Sequence, residues 1–194
     1  AQTSNTEFEE SLAKLKTQKM KSLILDLRGN TGGYLNIAAE LSNQFLKKDM
    51  TIVYTEGDKS PKQIFNTDKN GKFTDGKLII LIDEGSASAS EIVSGAVQDW
   101  DRGILIGRRS FGKGLVQRPF NLPDGSQVRL TTARYYTPTG RCIQRSYEKG
   151  SEDYYNEMTK RMKHGEFYHS DSIQFPYSLK YSTLLSGRTV YGGG

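Results

Sequence analysis

The chain has 194 residues, 35% of them hydrophobic and 25% charged, with a formal net charge of +5; that suits one well-buried globular core and excludes a disordered chain. Its basic residues are scattered among acids, as in Lys47-Lys48-Asp49, so the charge reads as mixed-sign surface and no nucleic-acid partner is expected. Cys142 is the one cysteine, His164 and His169 make no ligand pattern, and no apolar run reaches membrane-spanning length; these exclude a disulfide framework, and no metal, cofactor or integral membrane segment is expected.

Thr6-Glu7-Phe8-Glu9 fits a capping box, and Phe8, Leu12 and Leu15 then recur at helical spacing. Ser22 to Leu27 reads as a strand, followed at once by Arg28-Gly29-Asn30-Thr31-Gly32-Gly33. Glycines in that place allow positive φ or a close backbone approach, and a plain tight turn accounts for them equally well. Ile37, Ala38, Leu41 and Phe45 mark one face of the next helix, and Met50 to Thr55 a short strand. From Glu56 to Lys72 the chain is polar; Ile64-Phe65 and Phe73 flank Asn70-Gly71, which predicts a surface hairpin or an inserted excursion there.

Leu78 to Ile82 is a continuous apolar run, the pattern of a strand buried on both faces of a parallel sheet. Ile92, Val93, Ala96, Val97 and Trp100 give the inward face of a helix, and Ile104-Leu105-Ile106 a further strand. Three alternations of strand and helix predict an α/β layered domain. Leu115 to Phe120 and Gln127 to Tyr136 then look extended, joined by Pro123-Asp124-Gly125, and predict an antiparallel β-ribbon. A last amphipathic helix is expected near Tyr155, Met158 and Met162.

The stretch from Asp83 to Gln117 holds the chemistry, and three readings compete for it. Ser88-Ala89-Ser90-Glu91 is a capping box by pattern, so helix capping and nucleophilic catalysis both fit Ser88. One cap needs one serine, yet Ser86, Ser88 and Ser90 alternate with alanines. Gly107 to Lys113 approaches a phosphate-loop spacing but fails twice: Gly114 stands where Ser or Thr should hold magnesium, and Leu115-Val116-Gln117 looks extended where a helix should begin. The third reading pairs Ser88 with Lys113. A lysine between Gly112 and Gly114 sits where backbone can pack closely and exclude water, and a desolvated lysine can be neutral and accept a serine proton.

Three ordered motifs decide among these. Leu25-Asp26-Leu27-Arg28-Gly29-Asn30-Thr31-Gly32-Gly33, Gly85-Ser86-Ala87-Ser88-Ala89-Ser90-Glu91-Ile92 and Phe111-Gly112-Lys113-Gly114-Leu115-Val116-Gln117 strongly resemble the C-terminal processing (tail-specific) proteases, serine peptidases of the S41 type. The gaps match too, with Lys113 twenty-five positions after Ser88 and Gln117 four after Lys113. The resemblance implies a ClpP/crotonase-like α/β fold, a layered core with a mostly parallel sheet plus an antiparallel β-ribbon. It implies a serine endopeptidase that cleaves proteins near their C-terminal ends, with polypeptide substrates bound through their C-terminal region. Ser88 would be the nucleophile, Lys113 the general base and Gln117 the residue that holds the lysine amine. The amides of Ala89 and of Gly32 or Gly33 would form the oxyanion hole, and Asp99 would be supportive at most. A location in the cell envelope, periplasmic or otherwise extracytoplasmic, is expected from the family. So is a PDZ domain upstream, which is absent from this sequence. Residues 1–194 are therefore expected to be a single protease core domain cut from a longer chain. A ligand-binding module on the same fold, its peptidase chemistry lost, is the alternative.

Overall fold

A computed structural model of the chain describes residues 3–148 and 150–194. Helix α1 (Ser4–Thr17) leads into strand β1 (Ser22–Asp26), the glycine turn, and α2 (Leu35–Asn43). Strands β2 (Thr51–Gly57) and β3 (Ser60–Asn66) form a hairpin. Then come β4 (Lys77–Ile82), α3 (Ala89–Asp99) and β5 (Ile104–Gly107), followed by the long ribbon of β6 (Leu115–Asn121) and β7 (Gln127–Tyr136). Helix α4 (Gly150–Lys163), two short 3-10 turns and the small strands β8 (Lys180–Ser182) and β9 (Thr189–Tyr191) complete the chain.

The strands form two main sheets. One is parallel, in the order β1-β4-β5, and the other antiparallel, in the order β3-β2-β7-β6. The mixed α/β core with a parallel sheet and a ribbon is therefore present, although the antiparallel sheet is the larger of the two. Leu78 and Ile80 point from β4 into a core with Phe45, Leu46, Ile52, Ile92, Val93 and Val97. Helix α3 supplies the small and branched residues that let it lie flat on that sheet. Two polar staples hold the layers: Trp100 Nε1 donates to the Thr51 carbonyl at 2.7 Å, and Arg102 Nε to that of Phe45 at 3.0 Å.

Several local expectations need correction. Helix α1 starts at Ser4 after Thr3, so Thr6 lies inside it and cannot cap; the Glu9 carboxylate instead accepts from Lys72 Nζ and Gln44 Nε2, both 2.6 Å away. The hairpin turns at Asp58-Lys59, because β2 and β3 pair across it, while Gly71 packs against the backbone of Asn43 and Gln44. Strand β4 is fully buried on one face only. The other face of the parallel sheet is open, with Ile24, Ile104 and Ile106 at least half exposed. On α4 the inward residues are Tyr154 and Arg161, whereas Tyr155 is exposed. Arg161 turns inward because it has carbonyl partners there, which an apolar periodicity does not register.

Candidate active site

The site is assembled where the ends of β1 and β4 meet the start of α3. After Ile82 the chain makes a tight turn and enters α3 through Ser88, whose backbone is at φ 56° and ψ −112°. A β-carbon strains in that region, at a cost on the order of 1–3 kcal/mol, and strand-to-helix turns that present a nucleophile store such strain. The three serines divide the work. Ser86 Oγ donates to the Leu27 carbonyl at 2.7 Å and Ser90 Oγ to the Asn30 carbonyl at 2.9 Å, bolting this turn to the glycine turn. Ser88, between them, is half-buried and forms a capping box with Glu91.

Asp83 and Asn30 shape the glycine turn. The Asp83 carboxylate accepts from the amides of Gly29 at 2.8 Å and Gly85 at 2.9 Å. Burial pushes this carboxyl up, but those amides and the Ser86 hydroxyl hold it below its ordinary value. Asn30 Oδ1 accepts from the Gly32 amide at 2.9 Å, and the Ala87 amide donates to the Asn30 carbonyl at 3.0 Å. Gly32 has φ 89°, and a β-carbon there would lie 2.5 Å from the Ala87 oxygen and 2.6 Å from the Ala89 nitrogen. No other residue type fits, because a β-carbon would strain the backbone and also collide with the turn that carries Ser88. Ala89 N–H opens α3 and so lacks an intrahelical acceptor. Beside it lies a hollow of about 90 Å³ lined by Leu27, Gly33, Ile37, Ala38, Leu41 and Val93.

The lysine arrives from the other sheet. Lys113 sits in the loop between β5 and β6, and its glycine neighbours serve backbone packing. Gly114 N donates to Gln144 Oε1 at 2.9 Å, the Tyr135 amide to the Gly114 carbonyl at 2.7 Å, and the Arg145 amide to the Gly112 carbonyl at 3.1 Å. A β-carbon at Gly114 would lie 2.3 Å from the Gln144 nitrogen. Close packing around Lys113 is therefore real, but its side chain is exposed, so the expected exclusion of water from the amine is not supplied by these residues. The reason is that the glycines face the core side of the loop while the lysine leaves from the opposite side. Gln117 is likewise exposed, at an irregularity in the β6–β7 register. Among the described residues, the lysine amine is hydrogen-bonded to neither Ser88 nor Gln117. The run after Lys113 is strand β6, which removes the phosphate-loop geometry.

The Phe111 amide donates to the Ser86 carbonyl at 2.9 Å across the two halves, and one side chain also joins them, a residue the sequence singled out only as a helix cap. Glu91 is buried on α3. Its Oε1 accepts from Ser110 Oγ and Gly112 N, both at 2.7 Å, and its Oε2 from Ser88 N at 2.8 Å and Lys113 N at 2.9 Å. Burial pushes its carboxyl above the ordinary range, and the four donors pull the other way. From outside, Arg161 on α4 donates to the carbonyls of Ser110 at 3.2 Å and Arg109 at 2.8 Å, which gives the region after residue 145 a role as a brace for the lysine loop.

Asp99 is not part of this cluster. It closes α3 ten residues after Ala89, about 15 Å away along the helix axis. There it is fully buried, paired with Arg141, and accepts from Thr139 N at 2.9 Å and Thr139 Oγ1 at 2.7 Å. It clamps the corner after β7 onto α3.

Comparison with known proteins places these features in context. The model of peptidase family S41 matches residues 1–152. A carboxy-terminal-processing protease of Bartonella bacilliformis is 49% identical over 133 residues, 68% of this chain and 30% of that protein. The carboxy-terminal processing protease CtpB of Bacillus subtilis is 34% identical over 177 residues, 90% of this chain and 34% of that protein. A solved photosystem II D1 C-terminal processing protease superposes with a TM-score of 0.69 at 33% identity, covering 74% of this chain and 37% of the other. The chain thus spans about a third of the length of these relatives.

Proposed function

The chain belongs to peptidase family S41, and from that premise we propose that it forms the catalytic core of a serine endopeptidase that cleaves polypeptides near their C-terminal ends. The observation that carries this reading is the strained turn at Ser88, pressed against Gly32 and tied through Glu91 to the loop of Lys113. Ser88 Oγ attacks the scissile carbonyl carbon while its proton passes to Lys113 Nζ. The carbonyl π pair moves onto oxygen, and Ala89 N–H and Gly33 N–H receive the oxyanion. Gly33 is the better candidate of the glycine pair, because the Gly32 amide is already held by Asn30. The ammonium of Lys113 then protonates the departing amine, leaving an ester on Ser88. Water, deprotonated by the same lysine, hydrolyses that ester. Donors aimed at the developing charge typically contribute several kcal/mol.

Exposure of Lys113 in this chain sets a requirement: the bound substrate, or other parts of the longer protein, must cover the amine for it to work as a base. The hollow of about 90 Å³ beside the two amides accommodates a small apolar side chain next to the scissile bond. Substrate engagement through the C-terminal region and a location in the cell envelope belong to the same reading. The test is cleavage of an unstructured reporter with a free C-terminus by the longer natural protein, beside Ser88→Ala and Lys113→Ala. Both variants are expected to lose at least about 1,000-fold in kcat/KM. Cleavage by both at the parent's rate overturns the reading, and saturable ligand binding without cleavage by the parent would favour a binding module instead.

A further inference from the structure

We infer that Glu91 is the positioning residue of the site: its ionised carboxylate fastens the Ser88 turn to the Lys113 loop, and the spacing of the two reactive side chains depends on it. The inference rests on the Ser88–Lys113 reading above. It follows from the donor count. Glu91 Oε1 faces Ser110 Oγ–H and Gly112 N–H, and Oε2 faces Ser88 N–H and Lys113 N–H. Three of the partners are backbone amides that can only donate and the Ser110 hydroxyl donates to the ionised form, so both oxygens are filled as acceptors, and a proton on Oε2 would meet two N–H groups. Two of these amides belong to the very residues proposed to react. Ser88 follows β4 of the parallel sheet and Lys113 precedes β6 of the antiparallel one, twenty-five positions on; the Phe111 amide, which donates to the Ser86 carbonyl at 2.9 Å, is a backbone link between the same segments.

Among the described residues the carboxylate has no ion-pair partner. A cavity of about 280 Å³ separates this part of α3 from the C-terminal segment, and Arg108, Arg109, Arg141, Cys142 and Tyr191 share its wall with Glu91. Each arginine is engaged elsewhere: Arg108 with Glu84, Arg109 with Glu157 and Arg141 with Asp99. Lys113 meets Glu91 through its amide. The charge is thus held by hydrogen bonds alone. The arrangement also uses up the nucleophile's own amide, which leaves the oxyanion to Ala89 and the glycine turn.

Protonation of Glu91 replaces an acceptor with a donor and weakens its hold on the amides of Ser88 and Lys113, leaving the Phe111–Ser86 backbone bond between the segments. A loss of alignment of about 1 Å is enough to lower turnover on the order of 100-fold. Because burial raises this carboxyl, its effect on catalysis enters above the ordinary carboxylate range. It adds to the requirement for a neutral lysine. The logarithm of kcat/KM, falling with slope one as the lysine gains its proton, is expected to steepen toward slope two at lower pH.

The experiment uses the longer natural protein on the same C-terminal reporter, with kcat and KM measured from mildly acidic to alkaline pH for the parent, Glu91→Gln, Glu91→Asp, Ser110→Ala and Ser88→Ala. Glu91→Gln keeps the volume but turns an amide group toward two donors. It is expected to lose roughly 100-fold in kcat with KM changed less than about threefold, and to fall with slope one only. Glu91→Asp is expected to recover part of that loss and regain the steeper limb. Ser110→Ala removes one donor and leaves the cap untouched, so it answers the question even if Glu91→Gln does not fold; about a tenfold loss in kcat is expected. Parent-like kcat in a folded Glu91→Gln, or, where that variant does not fold, parent-like kcat in Ser110→Ala, overturns the inference. If Ser88→Ala retains full activity, the underlying catalytic reading fails instead, so the two failures are told apart.

Discussion

The two halves of the site are built to different standards. On the side of the parallel sheet, side-chain bonds from Ser86, Ser90, Asn30 and Asp83 fix the turns of Ser88 and Gly32, and Ser88 and Ala89 open a helix whose inner face is fully buried. On the side of the antiparallel sheet, Lys113 and Gln117 stand at the root of a ribbon whose outer residues, among them Phe120, Val128 and Leu130, are exposed. A nucleophile and an oxyanion hole must be rigid to within tenths of an ångström, because their value lies in being aimed before charge develops. A base that works only once desolvated gains from sitting on an edge that the substrate or another part of the protein can close over. The difference teaches that the Ser88 side is fixed by many buried partners while the Lys113 side chain is left exposed, and on the proposed reading the base is the half that needs a cover.

Substitutions can break or sharpen that contrast. The largest stability effect is expected from Asp99→Ala, which strands the buried Arg141 guanidinium at the far end of α3. Thermal or urea unfolding should show a loss of about 3–5 kcal/mol, with kcat of the folded fraction close to the parent. A large fall in kcat at full stability would place Asp99 in the chemistry. Gly32→Ala comes next. The new β-carbon would lie 2.5 Å from the Ala87 oxygen, in a backbone conformation that disfavours it. A kcat loss on the order of 100-fold or more is expected as the oxyanion turn shifts, and an unchanged rate would remove that turn from the site.

On the ribbon side the expected pattern reverses. Gln117→Ala should leave the unfolding midpoint unmoved and lower kcat/KM about tenfold, by removing the hydrogen bond to the lysine amine that is proposed to form once substrate covers the site. Leu130→Ser should alter stability by less than about 0.5 kcal/mol. If it unfolds the protein as severely as Asp99→Ala, the ribbon is part of the core and the contrast is lost. The smallest effect concerns acid. Asp83 has its carboxyl lowered in the fold, so its contribution is present above the unfolded value near pH 4 and is lost as pH falls through the folded one. Asp83 is half-buried and partly screened by solvent, so the contribution is under about 1 kcal/mol. Asp83→Asn should flatten the acid limb of a urea-midpoint profile by that amount.

Much of this was readable from the residues in order. Strands β1, β4 and β5, helix α3 and the ribbon lie close to where periodicity and turn residues placed them, because each is a local pattern. The ribbon turn at Pro123-Asp124-Gly125 needs nothing beyond its own residues. Expectations failed where a distant partner decided the matter. Thr6-Glu9 has the same pattern as Ser88-Glu91, yet one is interior helix and the other a true cap. Arg161 faces inward because carbonyls of residues 109 and 110 are there to meet it.

The sequence by itself determined the family and the order of the elements, and it put forward Ser88, Lys113 and the glycine turn as the proposed set, since these depend on residue types and spacings along one chain. Only the tertiary structure decided why the lysine's glycine neighbours are glycines and that the Glu91 carboxylate accepts from the amides of both Ser88 and Lys113. Those depend on atoms brought within 3 Å from segments that are twenty or more residues apart, and hydrogen-bond direction across such a gap leaves no periodic trace in the chain.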